Sequence, residues 1–137
     1  MKILVTGAKG MLGHDLCPIL TGAGHEVIRT DVMSDDSRLD ITDTDSIHAF
    51  LKVCIPTWVI NCAAFTRVDA CESDEPSATL LNGTAPGYIA EECKRLGIRL
   101  LHVSTDYVFD GTKTGPYRED DPVNPINANV LMKRGSD

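Results

Sequence analysis

The stretch that most restricts this chain is its opening, residues 2–13, which reads Lys-Ile-Leu-Val-Thr-Gly-Ala-Lys-Gly-Met-Leu-Gly. The apolar run Ile3-Leu4-Val5 stops at Gly7, as a short buried parallel strand does at its carboxyl end. From Met11 the apolar residues change to helical spacing, with Met11, Leu12, Leu16, Ile19 and Leu20. Strand, glycine turn and helix together open a βαβ unit of the kind that binds a dinucleotide. In that reading Gly7 permits the tight turn and Gly10 lets the backbone approach a pyrophosphate. Gly13 lets the helix lie close to the strand. The backbone N–H groups at Met11 and Leu12, with the positive end of the helix dipole, then face the phosphates. The spacing G-x-x-G-x-x-G differs from G-x-G-x-x-G, and glycines alone are also consistent with a plain turn.

At 137 residues the chain is long enough for one domain with a real core and short for two. Hydrophobic residues make up 42% and charged residues 24%, the balance of a soluble globular protein. A formal net charge of −7 argues against a nucleic-acid partner, because no basic face stands out to displace counterions. Cys17, Cys54, Cys62, Cys71 and Cys93 contain no C-x-x-C and read as reduced, mostly buried thiols. His14, His25, His48 and His102 are scattered, so no metal site is expected. The chain opens directly in a strand, with no signal-peptide pattern and no apolar run long enough to span a bilayer; a cytoplasmic location is the expectation.

After the first helix, Gly22-Ala23-Gly24 is a stop signal and Glu26–Thr30 a second strand. Asp31 ends it, where an acid can accept hydrogen bonds from the adenosine ribose hydroxyls, which favours NAD. Arg29 stands close enough in sequence to serve a 2′-phosphate instead, so NADP stays open, and a solvated turn residue is the plainer reading of Asp31. Arg38–Ile41 suggests a short third strand, with Asp40 either against the adenine or simply a loop carboxylate. Thr42-Asp43-Thr44-Asp45 has the look of a helix N-cap; the helix presents Ile47, Phe50 and Leu51 and ends before Pro56. Trp58–Ile60 is a fourth strand running into Asn61-Cys62-Ala63-Ala64, where small residues leave room for a cofactor or merely satisfy packing. A long helix from Pro76 to about Leu96 follows, capped by Gly97 and kinked or broken near Gly83, Pro86 and Gly87. Ile98–Val103 is a fifth strand. It places the Ser104 and Thr105 hydroxyls beyond its carboxyl end, with His102 packed in the core. From Thr112 the chain reads as an extended loop. The sum is one doubly wound parallel α/β unit over 1–137, a Rossmann-like NAD(P)-binding fold.

Four stretches now resemble the extended short-chain dehydrogenase/reductases, and among them the dTDP-4-dehydrorhamnose reductase family. They are V-T-G-A-K-G-M-L-G at 5–13, N-C-A-A-F-T-R-V-D-A-C-E at 61–72, S-T-D-Y-V-F-D-G at 104–111, and the P-x-N before Asn129. The resemblance implies hydride transfer from NADPH or NADH to the 4-keto group of a dTDP-linked deoxysugar, the last step towards dTDP-rhamnose. It implies that Thr105 hydrogen-bonds the carbonyl oxygen and that Lys133 holds the nicotinamide ribose. It sets Gly7, Gly10, Met11, Leu12, Gly13, Asp31, Asp40, Ile41, Ala63 and Ala64 along the cofactor, and Thr66, Val68, Thr105 and Asp106 along the sugar nucleotide. A homodimer of the full-length family is also implied.

Two departures from the family pattern qualify this. Y-x-x-x-K places a tyrosine four residues before the lysine, and Asn129 stands there. A carboxamide donates a hydrogen bond but is no acid near neutral pH, and general acid catalysis is worth roughly 10²–10⁴-fold. The chain also ends where the lysine-bearing helix should continue, which reads as a truncated copy with the sugar-binding part absent. The alternative is a non-catalytic dinucleotide-binding subunit on the same fold, resembling the regulatory subunit of methionine adenosyltransferase.

Overall fold

The computed structural model describes residues 1–34, 37–66, 74–105 and 108–124. Among the described residues four strands form one parallel sheet: β1 (Lys2–Thr6), β2 (Glu26–Thr30), β3 (Trp58–Asn61) and β4 (Arg99–His102), in the spatial order β2-β1-β3-β4. Register sets Leu4 beside both Ile28 and Val59, and Val59 beside Leu100. The central strand is apolar on consecutive residues because both of its faces are covered.

Alternation along β1 sorts the two faces. Ile3 and Val5 pack with Cys17 of α1 (Met11–Gly22). Leu4 faces the other way, into a larger cluster with Ile47 and Leu51 of α2 (Thr44–Cys54) and Ile89 and Cys93 of α4 (Ala85–Leu96). The β1–β2 connection therefore lies on one face, and the β2–β3 and β3–β4 connections on the other. This is the doubly wound α/β arrangement expected from the sequence, with its reversal of strand order between β1 and β3.

Several local readings are borne out in detail. Asp43 caps α2, its carboxylate accepting the Asp45 and Ser46 N–H groups, and Ile55 ends the helix at φ 41°. Gly97 closes α4 at φ 70°, a left-handed position that suits glycine. On α1 the buried residues are Gly13 and Cys17, while Met11, Leu12 and Ile19 of the apolar series are exposed.

One reading is corrected and one is sharpened. Arg38–Ile41 is not a strand: it makes a single bridge between Asp31 and Arg38, so the predicted fourth and fifth strands are β3 and β4. Leu39 and Ile41 turn into the core instead, and the Asp40 carboxylate between them accepts the Thr42 N–H and Oγ1–H at 2.9 and 2.7 Å. That local bond competes with pairing in a sheet. The interruption of the long helix expected near Gly83 is present. A short α3 (Glu75–Ala78) passes into a π-helical turn at Thr79–Thr84 before α4 begins. Pro86 itself sits in the first turn of α4, where its missing N–H costs little.

Candidate functional site

A cleft opens at the carboxyl ends of β1, β2 and β3, over the point where the strand order reverses. Gly7, Gly10, Asp31, Val32, Leu39, Ile41, Cys62, Ala63, Ala64 and Leu81 line it. Open α/β sheets bind ligands at this place.

Its floor depends on close backbone approach. Gly7 has φ +64°, and a Cβ there would lie 2.7 Å from the Cα and N of Ala63. A Cβ on Gly13 would lie 2.3 Å from the Gly7 carbonyl oxygen. Both contacts are far inside van der Waals range, so the turn, α1 and the end of β3 fit together only around glycine. The turn's own N–H groups are engaged: Ala8 donates to Thr30 O, Lys9 to Asp31 Oδ2 and Gly10 to Gly7 O, each at 3.0 Å.

The first bond of α1 runs from His14 N–H to Gly10 O, and among the described residues no side chain caps the helix. The N–H groups of Met11, Leu12 and Gly13 therefore precede any carbonyl of their own helix that they can reach. With the dipole's positive end beside them, they suit an anion such as a pyrophosphate. The exposed Met11 and Leu12 side chains contribute nothing to this; their main chain does.

Two buried asparagines hold the far wall. Asn61 Oδ1 accepts the Thr6 hydroxyl at 2.5 Å and the Ala63 N–H at 3.2 Å, while its Nδ2 lies 3.1 Å from His102 Nδ1. One side chain thus ties the ends of β1, β3 and β4 together. Asn82, carried inward by the π-helical turn, clamps Phe65 at both groups: Oδ1 accepts its N–H at 2.8 Å and Nδ2 donates to its C=O at 3.0 Å. Neither role was read from the sequence. The helix-breaking Gly83 beside Asn82 was the available signal, since π-turns concentrate at functional sites. Burial pushes the Cys62 thiol up, so the cleft meets an anion with a neutral sulfur there.

Of the sequence-predicted residues, Gly7, Gly10, Asp31, Ile41, Ala63 and Ala64 converge on the cleft. Gly13 lies beneath it. Asp40 does not line it, being occupied with Thr42. Thr66 is exposed just past Phe65, and half-buried Thr105 follows β4, its carbonyl accepting the Val108 N–H at 3.4 Å. Val68, Asp106, Asn129 and Lys133 lie outside the described residues. Beyond Thr105, Asp110 organises its own loop. Oδ1 accepts from Thr112 N, Thr112 Oγ1 and Tyr117 OH, Oδ2 accepts from Asn124 Nδ2, and the Phe109 and Tyr117 rings stack at 4.1 Å. These donors hold the Asp110 carboxyl far below its usual range.

A parallel sheet wound in both directions, with a glycine turn, an uncapped first helix and an acid after the second strand, defines the Rossmann-like class. Residues 1–134 match the family described as RmlD substrate binding domain, and the chain belongs to that family. It is 46% identical over 134 residues to a dTDP-4-keto-6-deoxy-D-glucose reductase of Streptomyces niveus, covering 98% of this chain and 45% of that protein. The solved structure of a dTDP-4-dehydrorhamnose reductase from Clostridium acetobutylicum is similar at TM-score 0.90 and 40% identity, covering 99% of this chain and 47% of that one. One from Bacillus anthracis, solved in complex with NADP, is similar at TM-score 0.90 and 30% identity, covering 99% and 48%. The chain spans about half the length of these relatives. Among the described residues no helix is long and apolar enough to cross a membrane, and no group of metal-ligating side chains occurs.

Proposed function

We propose that residues 1–137 act as one dinucleotide-binding unit of a reductase that works on the 4-keto group of a dTDP-linked deoxysugar, with NADPH or NADH as cofactor. The observation that carries this is the glycine turn seated on Ala63, with the uncapped start of α1 opening into the cleft. When bound, the reduced nicotinamide supplies the hydride. This chain's part is to seat the pyrophosphate on the Met11, Leu12 and Gly13 amides, the adenosine end against Asp31 and Ile41, and the passage across the sheet edge at Ala63 and Ala64. By the family resemblance, Thr105 is assigned the hydrogen bond to the substrate carbonyl, Lys133 the nicotinamide ribose, and Thr66, Val68 and Asp106 the sugar nucleotide. The full-length protein pairs as a homodimer in this reading.

Asn129 at the expected tyrosine position supports the second reading, a dinucleotide-binding subunit that reduces nothing. One experiment separates the two. Residues 1–137 are joined to the remaining half of the Clostridium acetobutylicum relative, with and without Asn129→Tyr, and supplied with NADPH and a dTDP-4-keto-6-deoxysugar. Loss of nicotinamide absorbance in the Asn129→Tyr chimera, roughly 10²–10⁴-fold faster than with Asn129, is the expected result. No turnover in either chimera, with NADPH still bound, would leave the binding subunit as the better account.

A further inference from the structure

We infer that His102 is a positioning residue of the dinucleotide site: the lone pair on its Nδ1 fixes the Asn61 carboxamide in the one orientation that holds the Ala63 main chain against the glycine turn. The inference rests on the dinucleotide reading above and assigns a task to a side chain that does not line the cleft.

The register puts Thr6, Asn61 and His102 in one row across β1, β3 and β4, the last row before the cleft. Leu4, Val59 and Leu100, two residues earlier on each strand, pack on the α2 and α4 side of the sheet, so the row lies on that side too. Asn61 is 1% exposed, and its amide depends on partners that the protein supplies.

Three contacts decide which way the carboxamide faces. The Ala63 N–H, whose nitrogen is 3.2 Å from Asn61 Oδ1, donates and accepts nothing, so an oxygen has to sit there. The Thr6 hydroxyl does not choose by itself, because it can donate or accept; it follows by donating to the same oxygen at 2.5 Å. That leaves Nδ2 at 3.1 Å from His102 Nδ1. An amide nitrogen only donates, so Nδ1 has to present its lone pair and the ring proton belongs on Nε2. A proton on Nδ1 would set donor against donor. Turning the carboxamide over would relieve that clash and set Nδ2 against the Ala63 N–H instead.

Ala63 carries the effect to the ligand. Its nitrogen and Cα are the atoms that a Cβ on Gly7 would meet at 2.7 Å, and it lines the cleft. Any shift of the Ala63 peptide passes straight to the glycine turn, and so to the amides at the start of α1. His102 thus acts on the dinucleotide through Asn61 and Ala63, without touching it.

The test reads the ring and the affinity separately. Long-range proton–nitrogen spectra of the isotope-labelled chain at neutral pH should show His102 Nδ1 as the unprotonated nitrogen and Nε2 as the protonated one. A proton on Nδ1 would overturn the inference. Calorimetry with NADH then compares two variants. His102→Leu keeps apolar bulk without an acceptor and should weaken binding about tenfold, the lower end of the cost of one buried donor left unmet. His102→Asn places an oxygen on the arm that carried Nδ1 and should bind within about twofold of the unaltered chain. A role in filling the core would rank the two the other way, with leucine the milder change, and that ranking would overturn the inference. So would unchanged affinity in His102→Leu. No NADH binding by the unaltered chain would instead overturn the dinucleotide reading itself. The ring spectrum of the unaltered chain decides the Asn61 orientation even if a variant folds poorly.

Discussion

The glycine turn after β1 and the loops after β3 and β4 are built by different means. At the glycine turn, backbone presses directly on backbone: Gly7 on Ala63, and Gly13 on the Gly7 carbonyl. In the described loops after β3 and β4, polar side chains hold the chain, with Asn82 clamping Phe65 and Asp110 gathering Thr112, Tyr117 and Asn124. Steric fit of the first kind cannot adjust, since a Cβ has nowhere to go. Hydrogen bonds of the second kind can be lost one at a time, each costing a modest amount while its partners find water. The dinucleotide end should accordingly be rigid and intolerant of substitution, and the loop end adjustable.

Gly13→Ala is the most severe way to test that contrast. Its Cβ would lie 2.3 Å from the Gly7 oxygen, so either α1 or the turn must move. Overpacking costs about 1–3 kcal/mol of stability. Chemical denaturation should show this loss, and NADH binding should fall with it because the amides no longer converge. A Gly13→Ala chain of unchanged stability and affinity would break the comparison.

Asn82→Ala comes second. It removes the Asn82 bonds to both Phe65 main-chain groups, about 1–3 kcal/mol in all. Unfolding should shift by that order, while dinucleotide affinity changes less than for Gly13→Ala. A larger effect on affinity than on stability would move the critical contacts to the Phe65 wall.

Asp110→Asn should have the smallest effect, confined to the loop at 108–124. The Asp110 carboxyl titrates below its usual value when folded, so its contribution is fully present above the ordinary carboxylate range. It is lost only as pH falls well beneath that range. Amide exchange at Thr112 and Asn124 should therefore be slow at neutral pH and accelerate in strong acid, and in Asp110→Asn it should be fast throughout. Equal protection in both chains would show that the Phe109–Tyr117 stack, not the carboxylate, holds the loop.

The same contrast explains what could be read from the sequence. Close backbone contact leaves a mark, because only glycine satisfies it, and the three-residue spacing of Gly7, Gly10 and Gly13 is enough to announce the turn. The central strand was equally legible from Ile3-Leu4-Val5, since burial on both faces needs an unbroken apolar run. Polar clamps leave no such mark. Asn61 reaches Thr6 across 55 residues and Asn82 reaches Phe65 across 17, distances over which an asparagine looks like any other. The Arg38–Ile41 segment misled for a related reason. Its alternation was that of a strand, but Leu39 and Ile41 face the core from a turn that Asp40 stabilises through Thr42.

All of this depends on anion contact by the first amides of α1. Titrating the isotope-labelled chain with NADH while following its backbone amide resonances tests it most directly. The largest shifts should fall on Met11, Leu12 and Gly13, with smaller ones at Ala63 and Asp31. Saturable binding that leaves those three amides unmoved would contradict the account.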